Sequence, residues 1–235
     1  MVAVLLHVVV GWHSTAWPLH SMQRSAPLMS ASVTEGPYEH LRAASFDELV
    51  RAAPFFCNQL QADSMDEEIE IGLRALLGSP NGVRAFLMCW NNDPDWAAAD
   101  KPEPPHPLLS ALDAACTGPG PTRFMAQTML MNIAMSTAET CKSQREGQIE
   151  RAKLAMRSYK RAAILAGFIS SSPEQGGISL PSALRTESVA FSEAIKAELT
   201  ERREGEVDFN WSNAISAGGY DQEQLEAIAQ AISLS

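Results

Sequence analysis

Residues 122–170 contain no proline, in a chain that has 14 of them. Proline lacks an amide hydrogen and its ring clashes with the turn before it, so it breaks helix interiors. A proline-free stretch of this length commits the middle of the chain to long helices. Two helices fill it, with a weak point around Ser143 to Gly147. Met125 with Met129, and Met131 with Met135, are spaced one helical turn apart on the first. On the second, Ile149, Ala152, Ala155, Met156, Tyr159 and Ala163 fall on one side, as a helix packed on a core requires.

The remaining segments read the same way. Ser45-Phe-Asp-Glu48 has the spacing of a capping box, in which the hydroxyl takes an orphan amide and the glutamate reaches back. It opens a segment to about Gln61 that Pro54 breaks or kinks. Ser64-Met-Asp-Glu67 repeats the box before Ile69, Leu73, Leu76 and Leu77, with Gly78 as the stop. Ser79-Pro80 starts a third helix whose inner face is Val83, Phe86, Leu87 and Trp90. Residues 91–107 are rich in proline and read as a linker, with 100–107 exposed. A short helix from Pro107 to Cys116 ends at Thr117-Gly-Pro-Gly-Pro121. After a break over 170–177, Pro181 starts a helix to about Arg203, with Leu184, Phe191, Ile195 and Leu199 inward. Asp221-Gln-Glu-Gln224 caps a last helix carrying Leu225, Ile228 and Ile232. Alternating β-branched runs between turn pairs are absent, and so is any repeat of 20 to 50 residues. The expected fold is all-α: a single-domain bundle of about seven helices over residues 36–235.

Residues 1–35 read as a leader, cleaved or left unpacked. Val2 to Val10 is apolar apart from His7, and Ser14-Thr15-Ala16 follows as a site of small residues. Such a run is too short to cross a bilayer, which takes roughly 20 helical residues. No acid precedes Glu35. Ser21, Ser25, Ser30, Ser32 and Thr34 give residues 17–35 the acid-poor, hydroxyl-rich character of a transit peptide. With Trp17-Pro18 directly after Ala16, the segment resembles the bipartite plastid-targeting leaders of algae with secondary plastids. In those, a signal peptide (here about 1–16) precedes an aromatic residue and a transit peptide (about 17–35). The match departs in having Trp where Phe is usual and a single base, Arg24. The resemblance implies import into the plastid stroma; the alternative is a secreted protein.

Beyond residue 30 the chain carries 17 bases against 28 acids. That balance argues against DNA binding, which needs a basic surface. Cys57, Cys89, Cys116 and Cys141 share no C-x-x-C spacing, and each sits in or beside an apolar stretch, where cysteine behaves as a small hydrophobe. Past the leader only His40 and His106 remain, neither with a companion at ligand spacing, so no metal site is expected. Phosphate-loop, dinucleotide-binding and zinc-protease motifs are absent, and no cofactor is expected. The acids Asp63, Asp66, Glu67, Glu68 and Glu70 complement a helix N-terminus. Met125, Met129, Met131 and Met135 are expected as core filling rather than a ligand face.

Lys142, Arg145, Arg151, Lys153, Arg157, Lys160 and Arg161 gather seven bases within twenty residues, with only Glu146 and Glu150 among them. By helical rotation Lys153, Arg157, Lys160 and Arg161 share the face opposite the apolar one. They are the candidate partner-binding residues. The partner would be an anionic protein surface, with anionic lipid or RNA as alternatives.

Gly82-Val83-Arg84-Ala85, with Asn132, Ala134, Met135, Ser136, Thr137 and Ala138, resembles stretches of an uncharacterised helical protein family of cyanobacteria and plastids. That likeness implies a plastid compartment and carries no catalytic residues. Two functions are therefore expected. One is a non-enzymatic interaction protein, an accessory or assembly factor of a larger complex. The other is an enzyme or a carrier of a small ligand or pigment, with a pocket near Arg84, Asn132 and Ser136. The lack of a catalytic constellation leans toward the first.

Overall fold

A computed structural model of the protein describes residues 38–173, 179–200 and 209–233. The leader expected over 1–35 lies outside them. The described residues form nine α-helices and no strand. In chain order these are α1 (Phe46–Ala62), α2 (Glu67–Leu77), α3 (Pro80–Asn92), α4 (His106–Ala115), α5 (Pro119–Arg145), α6 (Ile149–Ser170), α7 (Leu180–Leu199), α8 (Phe209–Gly218) and α9 (Gln222–Ala231). The all-α expectation holds. The helix the sequence reading lacked is α8, a short one in which Trp211 and Ile215 are buried among the described side chains.

The proline-free stretch is the hairpin α5–α6. The chain reverses at Gly147, whose φ of +69° favours glycine. The break read from the Gly-Pro-Gly-Pro doublet falls at its first residue: α4 ends at Ala115, Gly118 has φ +105°, and α5 begins at Pro119 rather than after the doublet. Pro119 and Pro121 lie inside the first turn of α5, where a missing amide costs no helical hydrogen bond.

Helix α5 packs against α3, α6, α7 and α9. Met125, Met129, Leu130 and Ile133 are buried on it, as core filling requires, while Met131 and Met135 are only half-buried. Thr128 and Asn132 are buried too, and each donates to the carbonyl four residues back at 2.8 Å. That internal bonding lets a polar-containing helix sit in a core without orphaned donors. On α7, buried Glu187 accepts from Trp211 Nε1 at 2.8 Å, Gln127 Nε2 at 3.0 Å and Arg123 Nε at 2.6 Å. Phe191 stacks on Trp211 with ring centroids 4.0 Å apart. One carboxylate thus ties α5, α7 and α8 together.

In the other half, α1 runs unbroken through Pro54. The helix is therefore not broken at Pro54, and Ala53, Phe56 and Cys57 are buried around it. Burial of this kind offsets a proline penalty of about 3 kcal/mol. Phe86 and Trp90 stack on α3. Gly82 lets α3 start against the end of α2: a Cβ there would meet the Leu76 carbonyl oxygen at 1.7 Å. The α1 capping box forms as read, with Ser45 N donating to Glu48 Oε2 at 2.8 Å. The second box does not. Asp66 caps α2 by accepting from Ile69 N at 2.8 Å, and Ser64 instead donates to Gln59 Oε1 at 2.7 Å.

Residues 91–107 are not a free linker. Trp96 is buried and donates to Asn58 Oδ1 at 3.1 Å, and the Ala98 amide donates to Gln61 Oε1 at 2.7 Å. Ala97–Asp100 forms a 3-10 turn. Asp100 then meets Arg161, which corrects the placement of Arg161 on the outer face. Arg161 is 0 % exposed. Its Nε and Nη2 donate to the two Asp100 carboxylate oxygens, each at 2.8 Å, and its Nη1 donates to the Trp90 and Asp93 carbonyls. The rotation explains the error: Arg161 lies about 80° from Lys153, at the margin of the arc that Leu165 and Ala162 carry into the core. Lys101, Pro102 and Glu103 are exposed, but Pro104 is buried.

Two expectations follow. Asp66→Ala lowers stability by about 1 kcal/mol in urea denaturation and Ser64→Ala by a few tenths, because only the first removes a helix cap; equal losses would contradict the assignment. Asp100→Ala leaves a buried guanidinium without its counter-ion and costs about 3 kcal/mol, the lower end for a broken buried pair since the carboxylate itself is half-exposed. The Arg161 fork holds the Asp100 carboxyl below its usual value. Its contribution is therefore complete above the ordinary aspartate value of about 3.9 and disappears as pH falls through the lower folded value. The stability gap between wild type and Asp100→Asn should narrow on that acidification; a gap independent of pH would contradict the pairing.

Candidate functional site

The basic residues of α6 divide by their partners. Arg161 is engaged inside the fold. Arg151 pairs with Glu139, and on α5 Arg145 pairs with Asp221 at 2.6 Å and Glu223 at 3.1 Å. Lys153 pairs with Glu150 at 2.8 Å, but both side chains are more than half exposed, so the pair contributes little. Arg157 and Lys160 make no ion pair or hydrogen bond among the described residues. Arg157 lies close enough to Asp100 to help lower its carboxyl, behind the larger effect of Arg161.

Lys153, Arg157 and Lys160 line one open cleft of about 610 Å³. The hairpin builds it. Ser143, Gln144 and Gly147 from around the turn, Ala152 and Met156 on α6, and Asp100 also line it. Ile149, at 66 % the most exposed large apolar residue among those described, lines it too, which corrects its expected place on the inward face: the N-terminal turns of α6 bring Ile149, Ala152 and Met156 to the cleft beside the basic residues. Three of the four candidate residues are thus brought together around one cavity, and the fourth braces the wall behind it. Sequence reasoning missed Asp100, Gln144 and Met156. Nothing in the chain pairs residue 100 with residue 161 before the fold does.

A second cleft of about 270 Å³ adjoins the first, and Gln144 and Met156 line both. Its other walls come from Thr137, Thr140 and Cys141 on α5, Tyr159 on α6, and Ala227, Gln230 and Ala231 on α9.

Arg84, Asn132 and Ser136 line neither cleft. The Arg84 guanidinium lies 5.3 Å over the Phe124 ring, Asn132 is buried and bonded within α5, and the Ser136 carbonyl accepts from Thr140. The four cysteines are free. Burial pushes the thiol of Cys57 well up, raises that of Cys141, and takes that of Cys116 to about 11, so these three are poor nucleophiles at neutral pH. His40 and His106 are exposed. Among the described residues no three His, Cys, Asp or Glu gather closely enough to hold a metal ion, and no helix is long and apolar enough to cross a membrane.

No curated protein matches the chain, and no solved structure does. A family model does match, over residues 45–234, and the chain belongs to the family it describes, Uncharacterised conserved protein UCP020893.

Proposed function

We propose that the protein is a non-enzymatic interaction protein of the plastid, an accessory or assembly factor that docks an acidic segment of a partner protein in the α6 cleft. The observation that carries this reading is the pairing state of the cleft cations. In a chain with a net charge of −10, acids are plentiful and most basic side chains near the hairpin find one. Arg157 and Lys160 make no ion pair among the described residues, although Asp100 lines the same cavity and Arg157 feels its charge, and both face that cavity. Carboxylates from a partner would relieve their mutual repulsion. Anionic lipid and RNA carry the same sign of charge and are alternatives the test separates. The reading as a ligand or pigment carrier rested on Arg84, Asn132 and Ser136, whose contacts lie within the fold.

Changing Lys153, Arg157 and Lys160 together to Gln, with Arg161 kept, alters stability by no more than about 0.5 kcal/mol per position. Capture from plastid extract by tagged wild-type protein identifies a partner. Its purified form should bind the triple variant about tenfold more weakly at low salt, the loss of one to two exposed ion pairs. Equal binding overturns the reading, and capture of lipid or RNA in place of protein replaces the partner class.

The compartment rests on the leader resemblance. Residues 1–35 fused to a fluorescent reporter should direct it to plastids in an alga with secondary plastids. Fluorescence in the medium would establish secretion instead.

A further inference from the structure

The cleft does not end at its cations. Gln144 and Met156 line both cavities, so the two are neighbours that share a wall, and a bound segment could span both as one furrow. Its two halves differ in chemistry. The first presents Lys153, Arg157 and Lys160, spread over about 10 Å of helix. The second is a bay lined by Met156, Tyr159, Ala227 and Ala231, and also by the polar Thr137, Thr140, Gln144 and Gln230. The threonines add little polar demand: Thr137 Oγ1 already donates to the Ile133 carbonyl at 2.8 Å, and Thr140 Oγ1 to the Ser136 carbonyl at 2.7 Å. The apolar contact on offer is that of Met156, Ala227, Ala231 and the Tyr159 ring, beside the two glutamine amides.

One wall of the bay comes from α9, which contacts α5 at the surface and in the core. Arg145 binds Asp221 and Glu223 in the cap and first turn of α9, and Gln224 Nε2 donates to the Ala138 carbonyl at 3.0 Å. Leu225 and Ile228 are buried beneath. Contacts that hold a wall in place reduce the entropy lost when a cavity is filled.

We infer that the furrow takes an acidic segment that also carries one large apolar side chain, the carboxylates on Arg157 and Lys160 and the apolar group in the bay beside Met156 and Tyr159. This rests on the docking reading and adds what charge alone would not select. A purely acidic chain satisfies the cations but leaves the bay hydrated. An acidic–apolar segment fills both, and the apolar contact supplies specificity that salt does not screen.

Two labelled peptides of equal length and charge test it against the full chain by fluorescence anisotropy: one of Glu and Gly, and one with a single Gly replaced by Leu. The Leu peptide should bind wild type about fivefold or more tightly than its partner, as partial burial of one apolar side chain provides. Ala227→Gln, a change to a good helix former at a half-buried position, should abolish that difference and leave the Glu–Gly peptide unaffected. Arg157→Gln with Lys160→Gln should weaken both peptides. Equal binding of the two peptides to wild type overturns the bipartite furrow. If the charge variant still weakens them both, the docking reading stands without it. If neither peptide binds wild type more tightly than the charge variant, both readings fall.

Discussion

The fork between Arg161 and Asp100 is the contact on which the arrangement around α6 depends. A guanidinium at 0 % exposure is tolerable only when its donors are met. Two go to one carboxylate and a third to the carbonyls of Trp90 and Asp93 at the end of α3. That end has no basic residue in its last turn to meet its exposed carbonyls, so a cation from another helix serves it. One side chain thus fixes three things at once: the rotation of α6, the exit of the chain from α3, and the path of the loop that follows. With α6 rotated this way, Arg157 and Lys160 are left facing the cleft.

The same logic operates at Glu187, with the charges reversed. There a buried carboxylate collects donors from three side chains on two other helices. Each half of the bundle is therefore registered by one buried charged group whose partners lie far away in sequence. Apolar packing gives the helices their cohesion but not a unique alignment. A directional contact that must be met in full penalises any alignment that leaves it open.

This division explains what could be read from the sequence. Caps and periodicities are local, and most were legible: Ser45 with Glu48, Ser79 with Pro80, Asp221 with Gln224, and the reversal at Gly147 all stand where the chain places them. The failures were of two kinds. Ser64 and Asp66 are both capping residues two positions apart, and the residue whose oxygen reaches an exposed amide depends on where the previous helix ends. Pro54 is a breaker by rule, yet α1 continues through it; the Gly-Pro-Gly-Pro doublet does mark a break between helices, at Gly118, but its prolines belong to the first turn of the next one. The candidate site was half legible for the same cause. Helical rotation puts Lys153, Arg157 and Lys160 on one face. It leaves Arg161 at the boundary, and only Asp100, sixty residues earlier, draws it inward. The bay beside Met156 and Tyr159 was invisible, since its third wall comes from α9.

The net acidity of the chain bears on how such a cleft would work. At physiological salt the field of the surrounding carboxylates decays over about 8 Å. An acidic segment approaching from outside that range meets a repulsive molecule on average, and is drawn in only where Arg157 and Lys160 are near. Salt then acts in opposite senses on the two stages. It relieves the long-range repulsion that slows encounter, and it weakens the short-range pairs that hold the docked segment. The apolar bay is indifferent to both. On the proposed docking, a small basic half beside an apolar one would hold acidic chains that carry charge alone less tightly than those whose apolar group also reaches the bay.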